Sequence, residues 1–411
     1  MPVYGLIGRT LSHSWSVPIH KALGCEEYRL IELEPEELGE FLAREDIGGL
    51  NVTIPYKRDV MPYCAEIADT AQRVGSVNTI VPSPRGLCGH NTDLYGLQYA
   101  LRRANISLSK RKVLILGSGG ASLAAKAAAE LEGAGSLVIV SRSGPDNYQN
   151  ISRHLDAEVI INATPVGMSP HTGDLLVDPA DFPDCAGVAD MIYNPCRTAF
   201  LMRAEEAGIP CTDGLPMLVA QAAAAEELFT GRKGGVEKIE GILTDLRREM
   251  WNITLIGMPG CGKTTVGRAL AELTGRPLID LDEEIVKAAG RSIGDIFAHD
   301  GEAEFRRLER ERIALAGRQS GHIIVTGGGA VKSPENYASL HQNGRIYHLE
   351  RETALLEREG RPLSLAGDLE VLYRERRPLY ERFRDAAIEN SRTPRDAAEA
   401  IWRDFCESAG H

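Results

Sequence analysis

An α/β protein is predicted by three features of this 411-residue chain. The apolar run Val113-Leu114-Ile115-Leu116 leads into the turn Gly117-Ser118-Gly119-Gly120-Ala121-Ser122 and an Ala-rich stretch to Leu131. A second run, Ile253-Thr254-Leu255-Ile256, leads into Gly257-Met258-Pro259-Gly260-Cys261-Gly262-Lys263-Thr264. Elsewhere, strand-length apolar segments alternate with helix-length amphipathic ones, as parallel sheets with crossover helices require.

The elements follow in order. Val3 to Ile7 reads as a strand, and a helix follows from about Pro18 to Leu23. Pro35 to Arg44 reads as a helix with Pro in its first turn, and Leu50 to Ile54 as a strand closed by Pro55. Leu94 to Arg103 is helical, and Asp93 in front of it has the chemistry of a helix cap. From Lys112, strand, Gly-rich turn, helix (Ala121 to Leu131) and strand (Leu137 to Val140) make a βαβ unit of about 30 residues. Asp245 to Glu249 reads as the polar end of a helix, and a boundary is placed near 245–252 with Met250 ahead of the next strand. A short tether then joins two halves, the second starting as a separate chain might.

Composition narrows the class. Hydrophobic residues make up 43% and charged residues 25%, as in a globular protein. A formal net charge of −12 opposes general binding to nucleic acid or to a membrane surface. No apolar run is long enough to span a bilayer, and the first residues lack a basic region followed by an apolar stretch. Eight cysteines without a Cys-x-x-Cys pair fit neither a disulfide framework nor a zinc site, so a reducing, cytoplasmic setting is expected. Cys261 is the cysteine whose oxidation is expected to cost activity.

The two Gly-rich turns hold phosphates in different ways. In the first, Gly117, Ser118, Gly119, Gly120, Ala121 and Ser122 let backbone approach a pyrophosphate at a helix N-terminus. The next strand ends Ser141-Arg142-Ser143, where an NAD site places Asp or Glu for the ribose hydroxyls. An arginine between two hydroxyls suits a 2′-phosphate, so the expected cofactor is NADP; the alternative is a turn arginine in solvent. The second turn has the spacing of a P-loop. Gly257, Gly260, Cys261, Gly262 and Thr265 supply the loop, Lys263 meets β/γ-phosphate oxygens of ATP, and Thr264 is a ligand for Mg2+.

Further motifs name the substrate. Ser12-His13-Ser14-Trp15-Ser16, Asn51-Val52-Thr53-Ile54-Pro55-Tyr56-Lys57, Gly75-Ser76-Val77-Asn78-Thr79 and Asn91-Thr92-Asp93-Leu94-Tyr95-Gly96 precede the first turn. Asn162 to Met168 and Gly214 to Gln221 follow it. Together they resemble shikimate dehydrogenase over about 1–245. The resemblance implies that Ser14, Ser16 and Thr53 bind the substrate carboxylate, and that Asn78, Asp93 and Gln221 hold ring hydroxyls. Tyr193 and Gly214 border the substrate, and Lys57 and Asp93 form the acid/base pair. One departure is Ser16-Val17-Pro18, in which the proline stands one place later than usual.

Downstream of the P-loop, Leu278 to Asp282, Asp300 to Glu309, Gly327-Gly328-Gly329, Arg361-Pro362-Leu363 and Arg376-Arg377-Pro378-Leu379-Tyr380 resemble shikimate kinase over about 251–405. That resemblance implies Asp280 as a magnesium residue through water, and Asp282 as substrate contact and candidate base. Arg306 and Arg376 grip the substrate carboxylate, Gly328 and Gly329 line the pocket, and Arg361 on a lid faces the transferring phosphoryl group. Arg307 and Arg377 are read as solvated helix-face arginines. The lid, with only Glu359 and Gly360 between Arg358 and Arg361, is short for the family. Incomplete closure admits water, so ATP hydrolysis without shikimate is expected; a phosphate-release assay with no background would remove that expectation.

The implied whole is a fusion. A substrate domain (1–100 plus about 220–245) and a Rossmann NADP-binding domain (101–219) precede a P-loop kinase domain with a parallel sheet (251–411). The expected reactions are 3-dehydroshikimate to shikimate with NADPH, then shikimate to shikimate 3-phosphate with ATP, in aromatic amino-acid biosynthesis. Quinate as alternative substrate is disfavoured by Arg142, because quinate enzymes often choose NAD. A regulator that has lost its chemistry is disfavoured because Lys57, Asp93, Lys263 and Asp282 are all present.

Overall fold

The computed structural model describes residues 1–11, 14–356 and 369–410. Ser12, His13, Arg358 and Arg361, with the rest of the lid, lie outside the described residues. The chain forms two compact units, Met1–Leu243 and Thr244–His411. The division falls inside one helix, Gly235–Met250, and the next strand starts at Asn252. The polar stretch Asp245 to Glu249 forms the last turn of that helix, as the sequence suggested, and only Trp251 stands between the helix and the strand.

The first unit holds two sheets. In chain order the strands of the first are β1 (Val3–Gly8), β2 (Arg29–Glu32), β3 (Ile47–Val52), β4 (Glu66–Ile67), β5 (Thr79–Ser83) and β6 (Gly86–His90). Their spatial order is β2-β1-β3-β5-β6-β4, with β5 antiparallel to both β3 and β6. Strands β1, β2 and β3 thus pair parallel, while a hairpin makes the other half of the sheet mixed. The second sheet comprises β7 (Lys112–Leu116), β8 (Ser136–Val140), β9 (Val159–Asn162), β10 (Gly187–Asp190) and β11 (Cys211–Thr212). It is parallel throughout, in the order β11-β10-β9-β7-β8. Strands β7, β9 and β10 are almost wholly buried, as in a parallel sheet covered on both faces.

Three boundaries differ from the sequence reading. Strand β3 ends at Val52, so Thr53 starts a loop; Pro55 has no N–H for a ladder, and Ile54 is exposed. The segment from Pro35 opens as a 3₁₀ turn, Pro35–Glu37, capped reciprocally by Glu34 and Glu37, before the helix Leu38–Leu42. The first helix begins at Ser16, ahead of Pro18. The shifted proline stays within its first turn, where N–H groups lack helical partners anyway.

Helix Asp93–Arg103 packs on helix Leu215–Thr230, which returns from the second sheet to the first. Gly96 permits that approach, since a Cβ there would stand 2.5 Å from the Met217 carbonyl oxygen.

The second unit has one parallel sheet of β12 (Asn252–Ile256), β13 (Leu278–Asp280), β14 (Ile323–Val325), β15 (Gly344–Glu350) and β16 (Ala386–Glu389). Its order is β13-β14-β12-β15-β16, with β12 central. Ile253, Leu255, Ile323, Ile324, Ile346 and Phe405 are fully buried around it. Its phosphate loop thus departs from the carboxyl end of the middle strand, where open α/β sheets bind ligands. No helix among the described residues is long and apolar enough to cross a membrane.

Candidate active sites

In the first unit, Lys57 Nζ lies 2.5 Å from Asp93 Oδ2, and both side chains are only partly exposed. Asp93 does not cap its helix. Asn91 Oδ1 accepts the N–H groups of Asp93 (3.1 Å) and Leu94 (3.4 Å), leaving the Asp93 carboxylate to the lysine. Beside this pair, Thr92 is a buried junction. Its N–H donates to Asn78 Oδ1 at 2.7 Å, its hydroxyl meets Asn78 Nδ2 at 3.1 Å, and it donates to Gln221 Oε1 at 3.4 Å. Lys57, Asn78, Asp93 and Gln221, from four separate segments of the chain, are therefore brought together. Thr92 was missed in the sequence, although its place between Asn91 and Asp93 was a signal.

Ser14 and Ser16 pair hydroxyl to hydroxyl at 2.9 Å at the start of the first helix. Thr53 donates its N–H to the Ile7 carbonyl at the end of β1. Tyr193 is half-buried on the loop after β10, and burial pushes its phenol pKa up. Gly214, which opens helix Leu215–Thr230, donates its N–H to the Ile192 carbonyl at 2.9 Å.

The turn after β7 is shaped for an anion. Gly117 has φ +105 and packs against Ala163 and Thr164. Ser118, Gly119 and Gly120 are exposed, with open space where a Cβ would stand on either glycine. Ser122 donates to the Gly119 carbonyl at 2.6 Å, closing the first turn of helix Gly120–Leu131, of which Ala121 is the second residue. Ser141, Arg142 and Ser143 follow β8, with Arg142 and Ser143 exposed.

In the second unit, a cavity of about 540 Å³ is lined by Gly260, Gly262, Lys263, Thr264, Thr265, Asp282, Arg306, Glu309, Gly327–Gly329 and Arg376, among others. Lys263 Nζ donates to the carbonyls of Gly257 (2.9 Å) and Met258 (3.0 Å). Thr264 donates to Asp280 Oδ2 at 2.9 Å, and Asp280 Oδ1 caps the helix that carries Asp282. Cys261 is buried in the loop, its carbonyl held by Asn390 Nδ2 at 2.7 Å.

The three glycines after β14 are required by close packing. A Cβ on Gly327 would stand 3.0 Å from Asp282 Oδ1 and 3.1 Å from Glu309 Oε1; on Gly328, 2.6 Å from Pro259; on Gly329, 2.4 Å from an Arg306 nitrogen. Arg306 is buried and ion-paired to Glu309 at 2.6 Å and Glu302 at 3.2 Å. Glu309 is buried too; burial pushes its carboxyl pKa up, Asp282 adds to the rise, and Arg306 opposes it. Arg376 is buried and donates to the Gly328 carbonyl at 2.9 Å, whereas Arg377 is exposed and pairs with Glu381. Arg307 is likewise exposed, between Glu304 and Glu311.

Glu309 was missed as a cavity residue, and Tyr380 as the buried residue that holds the cavity's Gly328. The signal was helical spacing, since Glu309 is three after Arg306 and Tyr380 four after Arg376. Tyr380 is fully buried and donates to the same Gly328 carbonyl at 2.6 Å. Tyr380→Phe is therefore expected to raise the KM for shikimate roughly three- to tenfold, the worth of one net hydrogen bond. Steady-state kinetics at saturating ATP check this, and an unchanged KM would show that Tyr380 does not position the Gly328 segment for substrate.

His348, beneath the phosphate loop, stacks on Tyr380 with ring centroids 4.7 Å apart. Burial lowers its pKa from 6.5 to about 4, against the pull of Glu350. The unfolded chain takes up this proton near pH 6.5 and the folded chain resists until about 4. Its contribution to stability is thus complete above pH 6.5 and fades as pH falls toward 4, roughly 3 kcal/mol in all. A His348→Phe variant should lose less stability than the parent between pH 7 and 4, measured by urea unfolding with Trp251 and Trp402 as fluorophores. Equal losses would show that His348 does not set the acid limit.

Comparison with known proteins agrees with this division. The family model for the shikimate dehydrogenase substrate binding domain matches residues 6–80, and that for the shikimate 5'-dehydrogenase C-terminal domain matches 214–243. The shikimate kinase model matches residues 259–406. Shikimate dehydrogenase (NADP(+)) of Clostridium beijerinckii is 37% identical over 249 residues, which is 56% of this chain and 92% of that protein. That of Methanopyrus kandleri is also 37% identical, over 60% of this chain and 96% of the relative. Among solved structures, a chorismate mutase/shikimate 5-dehydrogenase fusion protein from Clostridium acetobutylicum matches with 36% identity and TM-score 0.57, over 60% of this chain and 97% of that one. The Thermus thermophilus shikimate 5-dehydrogenase, solved with NADP(H) and shikimate, matches with 29% identity and TM-score 0.53, over 59% and 98%. The chain therefore belongs to the shikimate dehydrogenase family through its first unit and carries a shikimate kinase domain in its second, an oxidoreductase and a kinase of the shikimate pathway on one polypeptide.

Proposed function

We propose that the first unit reduces 3-dehydroshikimate to shikimate with NADPH and that the second phosphorylates the shikimate with ATP. The observation that carries the first step is the Lys57–Asp93 pair at 2.5 Å, set beside the Asn78–Thr92–Gln221 cluster. Bound nicotinamide supplies a hydride to the ketone carbon. The Lys57 ammonium donates its proton to the ketone oxygen, and Asp93 holds that ammonium in place and orients a hydroxyl. Ser14, Ser16 and Thr53 hold the carboxylate, Asn78 and Gln221 the ring hydroxyls, with Tyr193 and Gly214 alongside. The exposed turn at Ser118–Gly120 has room for a pyrophosphate, and Arg142, exposed at the end of β8, offers a cation to a 2′-phosphate.

In the kinase cavity, Asp282 accepts the proton of the attacking hydroxyl, and Arg306 and Arg376 hold the carboxylate. Lys263 leaves the Gly257 and Met258 carbonyls for the phosphates, a move its flexible stem permits. Thr264 and Asp280 present hard oxygen donors 2.9 Å apart, which suit Mg2+ shared with phosphates and water. The metal would neutralise phosphate charge. The NADP preference, the reaction direction and the magnesium are parts of this reading.

The test is product identification by mass spectrometry after incubating the purified chain with 3-dehydroshikimate, NADPH, ATP and magnesium. Shikimate 3-phosphate is the expected product. Shikimate alone would sink the kinase assignment; no conversion would sink the dehydrogenase assignment, and a second incubation with shikimate and ATP then decides the kinase.

A further inference from the structure

The phosphate loop has a cationic neighbour that no motif accounts for. Arg351 is the first residue after β15, and β15 lies directly beside β12, in the register Ile256 to His348. The chain thus leaves β15 at the same sheet edge at which β12 passes into the loop Gly257–Thr264. One terminal nitrogen of Arg351 stands 3.7 Å from where a Cβ on Gly262 would be, and Asn390 Nδ2 stands 2.8 Å from that point. Asn390 is occupied, donating to the Cys261 carbonyl.

Arg351, by contrast, is not occupied among the described residues. Its Nε is buried without a hydrogen-bond partner, and the guanidinium has no carboxylate partner among the described residues. The adjacent Glu350 is engaged by Arg384 at 2.7 Å. A buried guanidinium donor without an acceptor is unfavourable, and such groups in folded proteins ordinarily meet a partner. Beside a loop whose own lysine is parked on backbone carbonyls, the missing acceptor has the chemistry of a phosphate oxygen, which the planar fork of arginine matches.

We propose that Arg351 is a second cationic contact, beside Lys263, for the phosphates of the nucleotide held on the Gly257–Thr264 loop. The proposal rests on the kinase reading of this unit and adds a binding residue to it. Arg351 is a nucleotide-binding residue here, with no part in proton transfer.

The test is equilibrium binding to the full chain by calorimetry, using ADP and, separately, inorganic tripolyphosphate. Wild type is compared with Arg351→Gln and Arg351→Lys, and thermal unfolding without ligand checks each fold. Arg351→Gln is expected to weaken both probes roughly tenfold, with partial recovery in Arg351→Lys. Unchanged affinity for both probes overturns the proposal. Loss of ADP binding with tripolyphosphate unaffected also overturns it, and places the arginine on the base or ribose. Should Arg351→Gln fail to fold, Arg351→Lys decides by the same comparison. If wild type binds neither probe, the kinase reading itself has failed, a result distinct from either variant outcome.

Discussion

Lys263→Met is expected to abolish measurable shikimate phosphorylation, with a loss of at least 10²- to 10³-fold, the scale for removing a preorganised charge from a phosphoryl-transfer site. Lys263 is 8% exposed, and among the described residues it bonds to the carbonyls of its own loop and, weakly, to Cys261. Methionine matches the length of the apolar stem and removes the charge, so the loop is expected to keep its shape. NADPH oxidation by the same preparation should be near normal, because the hydrogen bonds of Lys263 among the described residues all lie within the second unit. A variant that still phosphorylates shikimate at more than a tenth of the normal rate would take Lys263 out of the mechanism.

Asp93→Asn and Lys57→Ala should have the mirror-image effect, cutting reduction of 3-dehydroshikimate by ~10²- to 10⁴-fold, the range for a lost general acid or its partner. Asp93→Asn is the cleaner variant. The helix N-terminus is held by Asn91 Oδ1, so the amide disturbs the Lys57 pairing and leaves the cap intact. Lys57→Ala also leaves a partly buried carboxylate without its cation, so some loss of stability is expected alongside the loss of rate. Kinase activity serves as the internal control in each case. Loss of both activities in a variant that folds would contradict the picture of two units each with its own chemistry.

Much of this was readable from the residues. The strand, turn and helix at Lys112–Leu131 and at Asn252–Thr274 are local, because the apolar run, the glycines and the helix formers are contiguous. Arg307 and Arg377 read correctly as surface arginines, since each has a glutamate one turn away on its own helix. The mixed character of the first sheet was less legible. Its antiparallel hairpin, β5 and β6, turns through Pro84 and Arg85, and the turn signal Ser83-Pro84-Arg85-Gly86 marks a reversal without saying which strands it joins. The run from Asp245 to Glu249 read correctly as the end of a helix, which closes at Met250 just before the strand at Asn252.

By itself, then, the sequence determined the two phosphate-binding turns, the pathway and the residue types available for chemistry, because these depend on motifs a few residues long. Tertiary structure alone decided which groups meet. Lys57 reaches Asp93 across 36 positions, Thr92 reaches Gln221 across 129, and Tyr380 reaches Gly328 across 52. It also decided that Arg306 is buried against Glu309 and that Arg351 abuts the phosphate loop. The reason is physical. Pairings across sheets and between helices are fixed by burial and by close approaches such as that of Gly96 to Met217, and no local pattern along the chain encodes them.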